Sequence, residues 1–502
     1  MDWGLTQQVG NGICAVIRES SGAEIERAIS LAQQSAGAIE LRLDYLKISE
    51  LTPANVSHWI RQADRPVVLT LRRKPNGGEF TGSETQQMQI LTSLLGAGAS
   101  FIDLEIETIE NYLRGQLTPL ENASAQWIAS YHNFVETPQS LDPIYRRLLA
   151  TKAGILKVAT FSRNFADNFR LLQLTERAMQ DRQPAIITAM GELGTLTRIL
   201  ALGLGSLCTY GSVRKGQESA PGQLTVDELK DLYAVDQTNP STQVYGVIGY
   251  PVTHSLSPHI QNPAFRRIGL NARYLPFSIQ DLTNFGPYLK KFAGFSVTIP
   301  HKISILDFVE VVDETVKLTG AANTLVRQAN QIVAYNTDVD GVSHALQEPF
   351  KQKVRCVTLL GTGGAARAAA WVLKQENCSV TVLARDGQKA RAFAESLGFA
   401  HDTLDRAERY SGDLLINATS VGMFPGLEDT PIPRQALRYR YVFDMVYNPL
   451  ETRLMREAAS RATVISGVEM FVAQGARQFE LWTGKPAPRE LMREIVLEKL
   501  RR

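Results

Sequence analysis

The sequence predicts an α/β protein in two parts, an N-terminal (β/α)8 barrel fused to a two-lobed α/β unit. Three observations predict it. Between Gly12 and Gly211, short apolar runs alternate with longer amphipathic ones. Residues Asp236 to Gln243 then break the pattern with Asn239, Pro240, Ser241 and Thr242, and carry no apolar periodicity. A fresh alternation starts at Val244 and contains a glycine-rich turn between an apolar run and a helical one near Gly361. At 502 residues, 44% hydrophobic and 21% charged, the chain has core enough for two or three domains.

In the first part the strand candidates are Ile13 to Ile17, Ile39 to Leu43, Val67 to Leu71, Phe101 to Ile106, Trp127 to Tyr131, Ile155 to Ala159, Ala185 to Ala189 and Leu207 to Tyr210. Helical patterns such as Ala23 to Ala36 and Phe165 to Met179 lie between them, with apolar residues at i, i+3 and i+4. Eight strand–helix units is the number that closes a barrel, and an open parallel sheet is the runner-up. Thr225 and Glu228 form a capping box for a short helix to about Val235, which finishes this part. Residues 236–243 are the expected linker.

Composition narrows the function classes. The net charge of +2 leaves no basic stripe for nucleic acid, and no apolar run approaches the length that spans a bilayer. The expected partners are therefore small molecules. Cys14, Cys208, Cys356 and Cys378 lack C-x-x-C spacing, so neither disulfides nor a metal site is expected, and a reducing compartment fits. A strand-like run begins by Ile13, which leaves no room for a signal or transit peptide, so a cytoplasmic location is expected.

The most informative stretch of the first part is Gly154-Ile155-Leu156-Lys157-Val158-Ala159-Thr160. A lysine inside a buried strand loses hydration, and desolvation favours its neutral amine, a nucleophile that condenses with a ketone to an imine. The alternative is a strand-end lysine whose head reaches water. Chemistry in a barrel collects at the C-terminal ends of its strands. There the sequence places Glu40 and Arg42 in the second run, Arg72 after the third, and Asp103 and Glu105 in the fourth. His132 follows the fifth, Arg198 lies beyond the seventh, and the eighth leads into Ser219-Ala220-Pro221-Gly222-Gln223. Arginines around an imine-forming lysine describe a pocket for a carboxylated keto substrate.

Glu40-Leu41-Arg42-Leu43-Asp44, Ile102-Asp103-Leu104-Glu105, Ser130-Tyr131-His132, Leu156-Lys157-Val158-Ala159 and Ser219-Ala220-Pro221-Gly222-Gln223 together resemble type I 3-dehydroquinate dehydratase, over about residues 10 to 225. The resemblance implies that Lys157 forms the imine and His132 removes the adjacent proton, then protonates the departing hydroxyl. It also implies that Glu40, Arg42, Arg72, Arg198, Ser219 and Gln223 hold the substrate's carboxylate and hydroxyls. The family usually has a glutamate before the Gly-Gly pair that follows the third strand, where it orients the histidine. Here Asn76 precedes Gly77-Gly78, and Glu79 is the candidate substitute.

In the second part, Val244 to Ile248 is followed by His254-Ser255-Leu256-Ser257-Pro258, with Ser257 as the expected N-cap and Pro258 at the first helical position. That leaves Ser255 without a structural reason. Polar residues then end strands at Thr298 to Lys302, at Gly320-Ala321-Ala322-Asn323-Thr324 and at Tyr335-Asn336-Thr337-Asp338. Lys302 read alone is equally a solvated first-turn lysine, and Asp338 a helix cap. The strand in Val354 to Leu360 runs into Gly361-x-Gly363-x-x-Ala366 and a helix, with a second strand from Ser379 to Leu383, which is the context of a Rossmann-type dinucleotide site. Where an NAD enzyme places an acid, this chain has Ala384-Arg385, with Lys389 one turn later; positive charge there suits a 2′-phosphate, hence NADP. Asp386 opposes that reading by repelling the phosphate.

His254 to Pro258, Val297 to Lys302, Gly361-Thr362-Gly363-Gly364-Ala365-Ala366-Arg367, Asn417-Ala418-Thr419-Ser420-Val421-Gly422-Met423 and Gln474-Gly475-Ala476 together resemble shikimate dehydrogenase, from about Val244 onward. Ser296 stands where many members have asparagine. The resemblance implies Lys302 and Asp338 as the catalytic pair and Ser255, Ser257, Thr298, Asn323, Asn336, Tyr447 and Gln474 as substrate-binding. Gly361, Gly363, Gly364, Ala365, Arg385, Lys389, Thr419 and Met470 are the candidates at the cofactor. A substrate lobe over 244–345 and 466–502 would then flank an NADP lobe over 346–465, with substrate in the cleft between lobes that close. The two resemblances explain each other, because 3-dehydroshikimate leaves the first reaction and enters the second. A fused enzyme for consecutive steps toward shikimate is the expectation. Two rivals stay open: a quinate dehydrogenase using NAD, against which the Ser257 hydroxyl argues, and a non-catalytic metabolite sensor, against which both lysines and both of their partners argue.

Overall fold

The computed structural model describes residues 10–112, 124–252 and 254–501. It divides into two compact units, the first ending at Thr242 and the second starting at Gln243.

The first unit is built on eight parallel strands: β1 (Ile13–Ile17), β2 (Ala38–Arg42), β3 (Val67–Thr70), β4 (Phe101–Glu105), β5 (Gln126–Asn133), β6 (Ile155–Phe161), β7 (Ala185–Met190) and β8 (Thr209–Ser212). They follow the order β7-β6-β5-β4-β3-β2-β1-β8. Between β7 and β8 no ladder forms. There the ring closes through one backbone bond just ahead of β8, from the Leu207 N–H to the Ala185 carbonyl at 2.8 Å. The strands bury both faces, as a parallel sheet covered by helices must. The helix Ala166–Gln180 shows how the cover is made: it buries Leu171, Leu174, Thr175 and Ala178, one stripe at helical spacing.

Strand alternation sets the interior. Cys14, Val16, Ala38, Val68, Phe101, Ile128, Ile155, Ile186 and Cys208 form an apolar layer. Two residues further along their strands the same inward face becomes polar, at Glu40, Thr70, Asp103, Ser130 and Lys157, all buried. The floor is therefore dry and the level above it is charged. The capping box at Thr225 and Glu228 is present, with the Thr225 N–H donating to Glu228 Oε2 at 2.9 Å and the Glu228 N–H to Thr225 Oγ1 at 3.1 Å. The segment it opens is a π-helical turn, Glu228–Leu232.

The second unit holds two sheets. The first has β9 (Gln243–Gly249), β10 (Ala272–Ser278), β11 (Gly294–Val297), β12 (Val311–Val312), β13 (Thr324–Gln328) and β14 (Gln331–Tyr335), in the order β10-β9-β11-β13-β14-β12 with β13 antiparallel to both neighbours. The second has β15 (Cys356–Leu360), β16 (Ser379–Ala384), β17 (Ala400–Thr403), β18 (Gly412–Asn417), β19 (Tyr439–Asp444) and β20 (Thr463–Ser466). Its order, β17-β16-β15-β18-β19-β20, is the all-parallel 3-2-1-4-5-6 arrangement whose switch point lies between its first and fourth strands, β15 and β18. The helix Gly467–Thr483 packs on the helix Asp338–Ala345 so closely that a Cβ at Gly341 would lie 2.8 Å from the Met470 carbonyl. Met492 and Val496 of the last helix are fully buried in the same cluster as Tyr245, Phe265 and Tyr274, so the C-terminal helices belong to the core of the first sheet.

The expected cap at Ser257 is corrected. The helix Ser257–Arg267 starts one residue earlier than expected, with Leu256 at the cap position and no side-chain cap bond. Ser255 takes the structural role instead, its Oγ accepting the Ser257 N–H at 3.3 Å. The hydroxyl of Ser257 is thereby released from capping.

Candidate active sites

At the C-terminal ends of the barrel strands lies a cavity of about 520 Å³, counting its open mouth. Glu40, Arg42, Arg72, His132, Lys157, Arg198, Ser219 and Gln223 all line it, together with Asn76, Phe134, Met190 and Tyr210. Strand alternation brings most of them there, on the inward parity of a strand or in the segment that follows it, and Arg198 reaches the cavity from the helix Thr195–Leu200 after β7.

Lys157 is 5% exposed. Its Nζ donates to Asp103 Oδ2 at 2.9 Å and to Glu40 Oε1 at 3.4 Å, and sits 4.1 Å from the centroid of the Tyr210 ring. The expectation of a neutral amine is corrected here. Burial pulls the lysine pKa down, but the Asp103 and Glu40 carboxylates outweigh it and the net shift is upward. The resting side chain is an ammonium ion. Burial acts on Asp103 in the opposite sense, and Arg72 and Lys157 overcome it, holding its carboxyl well below the usual range. Arg72 places Nη2 2.8 Å from Asp103 Oδ1, donates to Ser130 Oγ at 2.9 Å, and lies 3.4 Å from Glu105.

His132 is half-buried and stacks on Phe134, with ring centroids 6.1 Å apart. Burial, then the nearby Arg72 and Lys157 charges, hold its pKa well below the usual histidine range, so the ring is neutral. Its Nδ1 is buried without a hydrogen-bond partner. Asn76 lies at the cavity and donates to Glu107 Oε2 at 3.3 Å, whereas Glu79 is exposed and absent from the lining. Glu79 therefore does not take the orienting place considered for it. Gly77, at φ +79°, lies against Phe134, where a Cβ would come within 2.1 Å of the ring.

The arginines differ in occupation. Arg42 is held by both oxygens of Asp44, at 2.9 and 2.8 Å. Arg198 is 2% exposed, donates to the Pro221 carbonyl at 3.3 Å, and has no ion-pair partner among the described residues. Its Nε is buried and unbonded, and burial pushes its pKa down to about 10. A buried guanidinium without an anion is costly, and a substrate carboxylate relieves that cost. Ser219 donates both its N–H and its hydroxyl to Gln223 Oε1, at 2.7 and 3.1 Å.

In the second unit Lys302 and Asp338 form an ion pair, and Asn323 Nδ2 donates to the other Asp338 oxygen at 2.8 Å. Asn323 also reaches Gln474 Oε1 at 3.4 Å. Asn336 is turned inward: its amide donates to Thr319 Oγ1 and the Ala321 carbonyl at 3.0 and 2.9 Å, and its Oδ1 accepts the Asp338 N–H at 3.2 Å. Tyr447 stacks on Phe471 at 4.2 Å and is pushed up to about 12 by burial, with a backbone hydrogen bond from Leu256 in the serine loop. Thr298 is half-buried at the end of β11, its N–H donating to the Ile248 carbonyl at 2.8 Å. Met470 is buried where the helix Gly467–Thr483 meets Gly341.

The glycine loop fits a dinucleotide. Gly361 has φ +103°, and a Cβ there would come 3.1 Å from both the Ala418 carbonyl and Thr419 Cγ2. Gly363 faces open space and precedes the helix Gly364–Gln375, whose N-terminal N–H groups, Ala365 among them, suit a pyrophosphate. A Cβ at Gly364 would lie 2.9 Å from Lys302 Cδ, so the loop and Lys302 share one site. Arg385 is exposed with no ion pair among the described residues. The Asp386 carboxylate is occupied as an N-cap, accepting the Gln388 and Lys389 N–H groups at 3.0 and 3.1 Å, and Lys389 Nζ lies 3.9 Å from it. The sequence placed Asp103 on the rim without giving it a role, although it is the nearest partner of Lys157, and passed over Tyr210, for which inward parity was the available signal.

The family model of type I 3-dehydroquinase matches residues 13–240, that of the shikimate dehydrogenase substrate-binding domain 247–325, and that of the shikimate 5′-dehydrogenase C-terminal domain 467–497. The chain is 35% identical over 511 residues to an Arabidopsis thaliana protein described as a chloroplastic bifunctional 3-dehydroquinate dehydratase/shikimate dehydrogenase, covering 96% of this chain and 84% of that one. It is 40% identical over 281 residues to a shikimate dehydrogenase (NADP+) of Methanopyrus kandleri, over 52% of this chain and 97% of that one. A solved shikimate dehydrogenase in complex with NADP+ superposes with a TM-score of 0.49 at 34% identity, over 52% of this chain and 97% of that one. Because the likeness to the Arabidopsis protein runs through both halves, the chain belongs to the family of bifunctional 3-dehydroquinate dehydratase/shikimate dehydrogenases.

Proposed function

We propose that the barrel dehydrates 3-dehydroquinate to 3-dehydroshikimate through an imine on Lys157, and that the second unit reduces 3-dehydroshikimate to shikimate with NADPH. The observation that carries the reading is the buried Lys157 ammonium sharing one cavity with the neutral His132 and the anion-free Arg198. Arg198 takes the substrate carboxylate, with Arg42, Arg72, Glu40, Ser219 and Gln223 on the hydroxyls. Lys157 gives up a proton to His132 and attacks the ketone, and the protonated histidine helps expel water from the adduct. The cationic imine that results draws electrons from the neighbouring carbon as His132 removes its proton. The enamine then expels the hydroxyl, which His132 protonates, and hydrolysis restores Lys157.

In the second unit Ser255, Ser257, Thr298, Asn323, Asn336, Tyr447 and Gln474 surround the substrate, Asn336 by holding the Asp338 backbone. NADPH would be held by the glycine loop, Arg385, Lys389, Thr419 and Met470, and supplies the hydride when bound. Lys302 delivers the proton to the carbonyl oxygen, and Asp338 keeps the ammonium aimed. The domain limits 1–235, 244–345 with 466–502, and 346–465 describe these roles. Four free cysteines suit a reducing compartment, and we place the protein in the cytoplasm on that ground. Among the described residues no helix is long and apolar enough to cross a membrane.

A coupled assay with 3-dehydroquinate and NADPH, followed by borohydride trapping with 3-dehydroquinate alone, tests the reading. Lys157→Ala abolishes trapping and dehydration while shikimate oxidation with NADP stays nearly intact. Equal loss of both activities would sink the assignment of separate sites, and an unmodified Lys157 in the wild type would sink the imine.

A further inference from the structure

Asn417 and Asp444 close β18 and β19, at adjacent strand ends beside the switch point between β15 and β18. Both are fully buried. Asn417 Nδ2 donates to Asp444 Oδ1 at 2.9 Å and, at the longer distance of 3.4 Å, to the Val421 carbonyl. Its Oδ1 accepts the Thr419 N–H at 3.1 Å and the Thr419 hydroxyl at 2.7 Å. The Thr419 hydroxyl oxygen in turn accepts the Val421 N–H at 3.2 Å, and Thr419 Cγ2 lies where a Cβ at Gly361 would nearly touch it. Asp444 has two further donors, the Val446 N–H at 3.1 Å and the Thr452 hydroxyl at 2.6 Å.

An amide side chain fits its slot in two orientations that exchange oxygen for NH2. What selects one is the set of partners around it, among which Asp444 makes the shorter of the two bonds to the NH2. An ionised carboxylate only accepts, so Asp444 forces the NH2 of Asn417 toward itself and the oxygen toward Thr419. With the amide reversed, NH2 would face the Thr419 N–H, two donors would meet, and the 417–421 turn would lose the Thr419 N–H bond, while the Thr419 hydroxyl would have to turn from donor to acceptor. We propose that Asp444 is a positioning residue for the cofactor: through Asn417 it fixes Thr419 against the Gly361 turn, in the crevice where a dinucleotide binds. The inference rests on the proposal that this lobe takes NADP. The chemistry also explains why a carboxylate is retained where burial pushes its pKa up to about 6. A neutral acceptor–donor group at this position would discriminate less between the two amide orientations, leaving the choice to the Thr419 N–H and the longer bond to the Val421 carbonyl.

The test uses the full-length enzyme and NADPH, with dehydratase activity as an internal control for the intact chain. Asp444→Asn raises the KM and the Kd for NADPH by at least about tenfold, with kcat changed by less than about threefold. Thr419→Ala weakens NADPH binding similarly, and adding Asp444→Asn to it weakens binding by less than about twofold more, because the route through Thr419 is already gone. Thr452→Val, which removes one donor from Asp444 and leaves Asn417 paired, keeps NADPH binding within about threefold. The inference is overturned by NADPH binding in Asp444→Asn equal to wild type, or by a loss of kcat alone with a lowered melting temperature, the mark of a purely structural carboxylate. Additive effects in the double variant overturn it as well. A wild type that fails to bind NADPH removes the cofactor reading and this inference together.

Discussion

Lys157 Nζ and Asp103 Oδ2 lie 2.9 Å apart, with Arg72 bound 2.8 Å from the second oxygen of the same carboxylate. One carboxylate therefore holds the charge of two cations. Asp103→Asn removes the strongest force keeping the amine protonated, so the Lys157 pKa falls. The half-point of borohydride trapping moves to lower pH, while turnover drops by about 10² because Arg72 loses its anchor. A trapping curve that stays in place would show that Asp103 does not hold the charge. The stability signs are opposite for the partners. Asp103, depressed, contributes stability present above the ordinary carboxylate range and lost as pH falls through its folded pKa. Lys157, raised, contributes stability present below about pH 10 and lost as pH rises through its folded pKa. Melting temperature in Asp103→Asn thus changes least against wild type at the two pH extremes.

His132 is neutral because Arg72 and Lys157 add to its burial, and that fixes the acid limb of dehydration. As the pH falls from about 7 to about 5.5, the base stays unprotonated, so dehydratase kcat holds where an ordinary histidine would already have lost most of its function. Steady-state rates across that interval check this. A limb centred in the ordinary histidine range would mean that the bound substrate cancels the Arg72 and Lys157 fields. His132→Gln removes the base and lowers kcat by about 10³, while trapping with borohydride persists at a reduced rate.

The barrel was legible because its alternation is binary: strands β2 to β6 each carry an apolar residue followed two positions later by a polar one on the same face, as in Phe101 and Asp103 or Ile155 and Lys157. Charge state was not legible. A strand of Ile155, Leu156 and Val158 reads as an apolar setting, yet the groups that decide the lysine proton arrive from β2 and β4 and are distant in sequence. The Thr225–Glu228 capping box was legible, whereas the cap at Ser257 was not, because two serines compete there and only backbone geometry shows which oxygen takes the helix N–H. In the sequence Asp386 registers only as a repulsive charge, and its capping role likewise shows only in the backbone.

The Asp386 cap bears on cofactor choice. Its carboxylate is spent on the Gln388 and Lys389 N–H groups, which weakens its repulsion of a 2′-phosphate and leaves Arg385 free to bind one. Arg385→Ala with Lys389→Ala raises the KM for NADP by about 10 to 100-fold and leaves that for NAD within about threefold. Equal change for both cofactors would place the phosphate elsewhere. Asp386→Ala lowers the stability of the nucleotide lobe by about 1 kcal/mol, read by denaturant unfolding, instead of improving NADP binding.

Lys302 and Asp338 supply the sharpest separation of the two chemistries. Their ion pair lies in the second unit, with Asn323 fixing the free carboxylate oxygen at 2.8 Å and Gly364 leaving room for the lysine stem. Lys302→Met keeps the stem's bulk and removes the proton donor, so shikimate oxidation falls by about 10² to 10⁴ with little change in NADP affinity. Asp338→Asn keeps a hydrogen bond to Lys302 but not its charge, and loses about 10² in kcat. Dehydratase kcat in both variants stays at the wild-type value. Asn323→Ala frees the Asp338 oxygen without removing either charge, so its kcat falls between that of Asp338→Asn and that of wild type. If it equals wild type, the hydrogen bond from Asn323 has no part in aiming the pair, and Asn323 is left with substrate contact alone.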